Sequence, residues 1–325
     1  MSKAKFGMYL PQRDFAAAKE VALDAEEKGF FSVSINDHFV PQIGPPDTPQ
    51  MECFTTLAAI AAVTSTIRVA PAVASASYRT PAMLAKITAT IDHLSDGRLV
   101  LGLGAGWQRS EYEAHGYEFP PAKERIARLH ETIKILKAMW TEDSPSFEGE
   151  YFSIQDANSH PRPVQQPHIP LMLGGSSERM LRISAEEADI VNLIPPTSGG
   201  KDFLKDREAI EGFTMQTLTE KVGLLRRLTE EAGRDPMAIE IGGLAMTRLV
   251  EDPKDPALAK LSARLGVEDV ELAKRSPTCL LGTPEEVVEE LARRVEKAGV
   301  TYTIIVPTSA ETVEMFAEQV MPAFA

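Results

Sequence analysis

The sequence predicts an α/β fold, a single (β/α)8 TIM barrel, on three observations. Eight short apolar runs alternate with stretches of helical period along the whole chain. No linker, low-complexity segment or shift of composition divides its 325 residues. Polar or glycine residues follow one apolar run after another, as they do at the carboxyl ends of barrel strands.

Phe6 to Leu10 reads as the first strand. The helix after it, Phe15 to Lys28, sets Phe15, Ala18, Val21, Ala22 and Ala25 at helical spacing and closes on Gly29. The second strand, Phe30 to Ile35, runs into Asn36, Asp37, His38 and Phe39. A proline-rich stretch, Pro41 to Pro49, then leads to a helix from Phe54 to Thr64. Ile67 to Ala74 is the third strand; Thr80 and Pro81 stand as N-cap and first residue of a helix ending near Ser95-Asp96-Gly97. The fourth strand, Leu99 to Leu103, carries Gly102 and runs on into Gly104, Gly106 and Trp107, glycines that leave room for something flat to approach the backbone.

An insertion follows the fourth strand. Within residues 107–168, Glu124 to Trp140 is an amphipathic helix with Ile126, Leu129, Ile133, Leu136 and Trp140 on one face, and Phe147, Tyr151, Phe152 and Ile154 suggest a small hairpin. Ile169 to Leu173 is the fifth strand, ending at Gly174-Gly175-Ser176-Ser177; Asp189 to Ile194 is the sixth, before the breaker-rich Pro195 to Gly200. After a helix over Leu218 to Ala232 comes the seventh strand, Ile239 to Met246, and a second insertion to about Ser276. Thr283-Pro284-Glu285-Glu286 then forms a capping box, with Val287, Val288, Leu291 and Val295 as the apolar face up to Gly299. Tyr302 to Val306 is the eighth strand, and Thr312 to Val320 the last helix. Residues 1–325 therefore read as one domain.

A formal charge of -13 argues against a nucleic-acid or anionic-membrane surface. Cys53 and Cys279 stand far apart with no cysteine or histidine cluster, so neither a disulfide framework nor a metal site is expected. No apolar span reaches the ~18 residues of a membrane helix, and the first residues lack a secretory pattern, which together point to a cytoplasmic protein.

The strand-end filter selects Asp37 and His38, Gly104 to Trp107, Gly174 to Ser177 and Asn192. His38 suits general acid or base work, with Asp37 or a backbone group orienting it; the competing reading is a structural histidine. Gly174, Gly175 and Ser176 offer unobstructed N–H groups and a hydroxyl at a helix start, suited to phosphate, or form an ordinary strand-to-helix turn. His115, His130 and Glu111 carry less information.

The ordered set NDHF, RLVLGLGAGW, FPPAKERIARLHETIKILKAMW, FEGEYF, PRPVQQPHIPLMLGGSS and ADIVNL resembles the luciferase-like monooxygenase superfamily, and most closely its coenzyme F-420 (deazaflavin)-dependent oxidoreductases. The resemblance implies that Asp37 touches the cofactor and that His38 donates or accepts a proton. It places a non-prolyl cis peptide at about Ala72-Val73, behind the ring system. Gly104, Gly106 and Ser110 match positions near the ring and its ribityl chain, and Gly174, Gly175 and Ser176 match the phosphate cradle.

One position departs from the pattern. Where sugar-phosphate dehydrogenases of the family carry a glutamate, this sequence has Trp107, so sugar-phosphate oxidation does not carry over; beside a ring, Trp107 favours an apolar or flat substrate. Glu111 matches a second, later glutamate. The implied reaction is hydride transfer between the deazaflavin and a small-molecule substrate such as an enone, ketone, imine or alcohol. An FMN-dependent monooxygenase and a non-catalytic flavin-binding barrel are the alternatives. A homodimer is expected through the helices Phe54 to Thr64 and Met83 to Leu94.

Overall fold

A computed structural model describes residues 3–42, 45, 47–196 and 206–325. The proline-rich stretch from Pro41 falls partly outside them, and the Pro195 to Gly200 loop mostly so.

In chain order the first elements are β1 (Lys5–Tyr9), α1 (Phe15–Glu27), β2 (Ser32–Ile35), α2 (Cys53–Val63), β3 (Arg68–Pro71), β4 (Ala74–Ser75), α3 (Pro81–Leu94) and β5 (Leu101–Gly104). Then come α4 (Arg109–Ala114), α5 (Ala122–Thr141), the hairpin β6 (Phe147–Glu148) and β7 (Ser153–Ile154), β8 (Leu171–Gly174), α6 (Glu178–Glu187) and β9 (Ile190–Asn192). The remainder is α7 (Arg207–Gly212), α8 (Met215–Glu231), β10 (Glu240–Leu249), α9 (Pro256–Arg264), α10 (Val270–Lys274), β11 (Cys279–Gly282), α11 (Pro284–Ala298), β12 (Val300–Pro307) and α12 (Ala310–Met315). Each of the eight expected strands is present. The third is broken into β3 and β4 by a cis peptide at Ala72-Val73, where the resemblance placed it. β11 was not expected: its four residues are too short to show alternation, and it pairs in parallel with the far half of β10.

Two compact units, neither continuous in sequence, account for the chain. In the unit made of residues 10–26 and 32–174, β2 pairs with β3 and β5 with both β4 and β8, all in parallel. The amphipathic stripe of α5 is its core, as its spacing predicts: Leu129, Ile133, Leu136 and Trp140 are buried, and the Trp140 indole donates to the Ala85 carbonyl. Glu131, on the same helix, accepts from the N–H groups of Glu150, Tyr151 and Phe152 and so fastens the hairpin turn. A Cβ at Gly149 would lie 2.4 Å from that carboxylate, which is why the turn carries glycine.

In the unit made of residues 1–9, 27–31 and 175–325, β10 pairs with β9, β11 and β12, and β1 with β12, again all in parallel. Phe316 is packed by Phe6 edge-on and Phe30 face-on, closing one end of this core. The predicted capping box is present at Thr283 and Glu286, and α11 ends on Gly299 at φ +66°. Among the described residues no helix is long and apolar enough to cross a membrane.

Candidate active site

Two segments run out from the ends of β2 and β5 and carry a first group of candidate residues, all in the unit of residues 10–26 and 32–174. The first brings Asp37, His38 and Phe39; the second brings Trp107 and then α4, whose first turn holds Glu111. Glu111 is 2 % exposed, and its carboxylate is the hub of the site. His38 Nδ1 lies 2.7 Å from Glu111 Oε2, and the Tyr78 hydroxyl donates to the same oxygen at 2.9 Å. The N–H groups of Phe39 and Val40 donate to Oε1 at 2.5 and 3.2 Å.

Burial works against ionisation of Glu111, but the hydrogen bonds from His38, the Phe39 N–H and Tyr78 prevail and hold its pKa below the usual carboxylate value. A carboxylate only accepts, so this contact calls for the hydrogen on His38 Nδ1, and Nε2 has no hydrogen-bond partner among the described residues. The Tyr78 hydroxyl moves the other way: burial, and after it the nearby Glu111 charge, push its pKa up, so it stays a neutral donor.

His38 is therefore oriented by Glu111, not by Asp37. The Asp37 carboxylate is engaged elsewhere: it takes a two-pronged contact from Arg79 at 2.7 and 2.9 Å and the Ser75 N–H at 3.0 Å. Arg79 also reaches Glu52, the N-cap of α2, at 2.5 Å. Burial opposes the Arg79 charge, yet Asp37 and Glu52 outweigh it and raise its pKa. This carboxylate ties the end of β2 to the residues after β4.

Trp107 is partly exposed, and its ring meets that of His38 edge-on at 5.6 Å between centroids. Phe39, 42 % exposed, continues the aromatic surface: it stacks on His115 at 4.2 Å and meets Tyr78 edge-on at 5.1 Å. Ser110 is exposed on α4.

Gly102 and Gly104 in β5, Gly106 after it and Gly174 at the end of β8 have close neighbours within the protein itself. A Cβ on Gly102 would lie 2.0 Å from the Pro71 carbonyl, and one on Gly106, at φ +75°, would lie 1.7 Å from the Tyr112 hydroxyl. At Gly104 and Gly174 it would press on the Val73 side chain at 3.0 and 3.1 Å. These glycines make room first for the cis-linked Ala72-Val73 segment and for Tyr112, whose hydroxyl is 2.6 Å from Ser75 Oγ.

In the other unit, Gly175 takes φ +138° and donates its N–H to the Asn192 carbonyl. Ser176 is 2 % exposed, directly before Ser177, which caps α6 by accepting from the Met180 N–H. The Ser176 Oγ and Asn192 Oδ1 atoms are buried without a hydrogen-bond partner. Free donor capacity at the start of a ten-residue helix suits an anionic group.

The model of the luciferase-like monooxygenase family matches residues 2–268. The chain belongs to this family. It is 36% identical over 157 residues to an F-420-dependent glucose-6-phosphate dehydrogenase of Amycolatopsis mediterranei, a match covering 48% of this chain and 47% of that protein. The chain thus spans about half the length of the curated relatives of this kind that it matches. It is 28% identical over 290 residues to an FMNH(2)-dependent dimethylsulfone monooxygenase of Pseudomonas putida, covering 84% of this chain and 78% of that one. An F-420-dependent secondary alcohol dehydrogenase, solved with an F-420-acetone adduct, superposes with a TM-score of 0.81 at 22% identity over 99% of both chains. That likeness shows the fold, the (β/α)8 barrel predicted from the sequence.

Proposed function

We propose that the chain is an F-420-dependent oxidoreductase that moves a hydride between the deazaflavin and a small organic substrate, with His38 taking or giving the coupled proton. The observation that carries this reading is a strand-end imidazole fixed through Nδ1, with Nε2 available and an indole at its side. Such an arrangement suits proton transfer by a positioned side chain and so supports catalysis over storage.

When bound, the deazaflavin supplies a two-electron hydride carrier that reacts poorly with oxygen. The chain supplies the rest. Trp107, and Gly104 and Gly106 with their backbone, are the proposed contacts of the ring system, with Ala72-Val73 behind it; Ser110 is the proposed contact of its side chain. Gly174, Gly175 and Ser176 are the proposed phosphate contacts, supported by the unpartnered Ser176 hydroxyl. Asp37 acts from behind, holding the segment that bears His38 through Arg79. The apolar Trp107, where an acid stands in sugar-phosphate dehydrogenases, directs the choice of substrate toward enones, ketones, imines or alcohols with a flat or apolar body. Both cysteines are buried free thiols, which suits a reducing cytoplasm.

A homodimer through α2 and α3 belongs to the same reading. It is supported by Met83 and Leu94, which are 57% and 49% exposed on α3. The FMN-using alternative draws its support from the dimethylsulfone monooxygenase likeness.

Titration of the purified protein with oxidised F-420 and with FMN, followed by tryptophan fluorescence, separates the two. Trp107→Phe removes the reporter beside His38 and leaves Trp140. Quenching by F-420 that is lost in this variant is expected. Tight FMN binding with none for F-420 would overturn the proposal.

A further inference from the structure

We infer that Glu111 is a positioning residue that locks His38 in the Nδ1–H tautomer, so that every proton His38 exchanges passes through Nε2. The inference rests on the hydride-transfer reading only in naming His38 as the proton carrier; the tether itself is independent of any cofactor.

Four donors meet this one buried carboxylate. Two of them, the Phe39 and Val40 N–H groups, come from the segment that carries His38, and a third is the imidazole itself. The side chain and its own backbone are thus clamped to one rigid anchor. The fourth, Tyr78, stays a neutral donor because burial and the Glu111 charge push its pKa up. Burial opposes ionisation of Glu111, but the His38 contact and charge, and after them the Phe39 N–H and the Tyr78 phenol, hold its pKa below the usual carboxylate value and so keep it an acceptor. An anionic acceptor 2.7 Å from Nδ1 leaves the neutral ring one arrangement, with hydrogen on Nδ1 and a lone pair on Nε2. Trp107, edge-on to the same ring, limits its rotation.

The histidine ring nitrogens of the protein without cofactor, seen by ¹⁵N NMR with His38 assigned by its loss in His38→Gln, test this directly. Across a pH series, the ring of the native protein should show, once it carries a single proton, a protonated Nδ1 and an unprotonated Nε2. An Nε2–H tautomer there would overturn the inference, whatever happens in any variant. In Glu111→Gln the pattern should revert to a mixture of tautomers, while Tyr78→Phe, which leaves the carboxylate in place, should keep it. An unchanged pattern in a folded Glu111→Gln protein would also overturn it.

Once a substrate is in hand, Glu111→Gln should lower kcat about 10-fold or more and change KM little. A rise in KM alone would point to a merely structural role. An Nδ1–H tautomer in a protein without F-420 turnover would keep the tether and remove the hydride-transfer reading.

Discussion

His38→Ala removes the imidazole that Glu111 orients, yet leaves Trp107, the glycines and Ser176 in place. Affinity for the cofactor should stay within several-fold of the native value while turnover falls by ~10²-fold or more, checked by titration and steady-state rates. Unchanged turnover would take the proton role from His38. Gly106 makes a separate prediction. At φ +75° an alanine Cβ meets the Tyr112 hydroxyl, so Gly106→Ala should lose about 2 kcal/mol or more in denaturant unfolding. Tyr112→Phe should restore a small part of that loss in the double variant, because it removes the nearest atom in the way while the ring carbon at 2.7 Å stays. The places of His38 and Trp107 were legible in the sequence, since each lies three residues past the end of its strand. Glu111 was not: its partnership with His38 spans 73 positions, which no local pattern records. The available signal was its place in the first turn after β5, at the position matching a later glutamate of the family. Asp37 stands at the expected strand end, but its partner Arg79 lies 42 residues away, and so their ion pair leaves no local trace.

At the scale of elements, one carboxylate links α1 to the turn between α2 and β3. Glu26 accepts from the N–H groups of Ser65, Thr66 and Ile67. Burial raises its pKa, but these bonds lower it more, from 4.5 to about 2. Its folded value is depressed, so the stabilisation is complete above the unfolded value of 4.5 and fades as pH falls toward 2. Glu26→Gln should melt a few degrees below the native protein at pH 7, and the gap should close between pH 5 and pH 2 in a series of thermal melts. A gap that is constant with pH would contradict the link. At the start of α6, Ser176→Ala should weaken phosphorylated cofactor more than its dephosphorylated core; equal weakening of both would argue against a phosphate contact. Helices were the most legible elements, because α5 and α11 declare themselves by periodicity and caps. The break between β3 and β4 has no periodic trace and came from the resemblance alone. β11 escaped notice because four residues beside Pro277 carry no alternation.

For the whole molecule, the order of eight strands and their helices could be read directly, since each parallel crossover needs its own helical stretch. The division into two interleaved units could not, because it depends on contacts between distant segments. The proposed homodimer predicts a scattering mass of twice 35.5 kDa, and Met83→Asp, on an exposed helix face, should shift it toward the monomer without loss of helix. A native monomer at working concentration would end that proposal.

The central claim is hydride transfer through a deazaflavin at the His38 site. Its most direct test uses reduced F-420 carrying deuterium at the transferable position, incubated with the protein and a panel of enones, ketones and imines, with the products weighed by mass spectrometry. One deuterium in a reduced product, abolished by His38→Ala, is the predicted result. No label in any product, with an oxygenated product appearing from reduced FMN and oxygen instead, would contradict it.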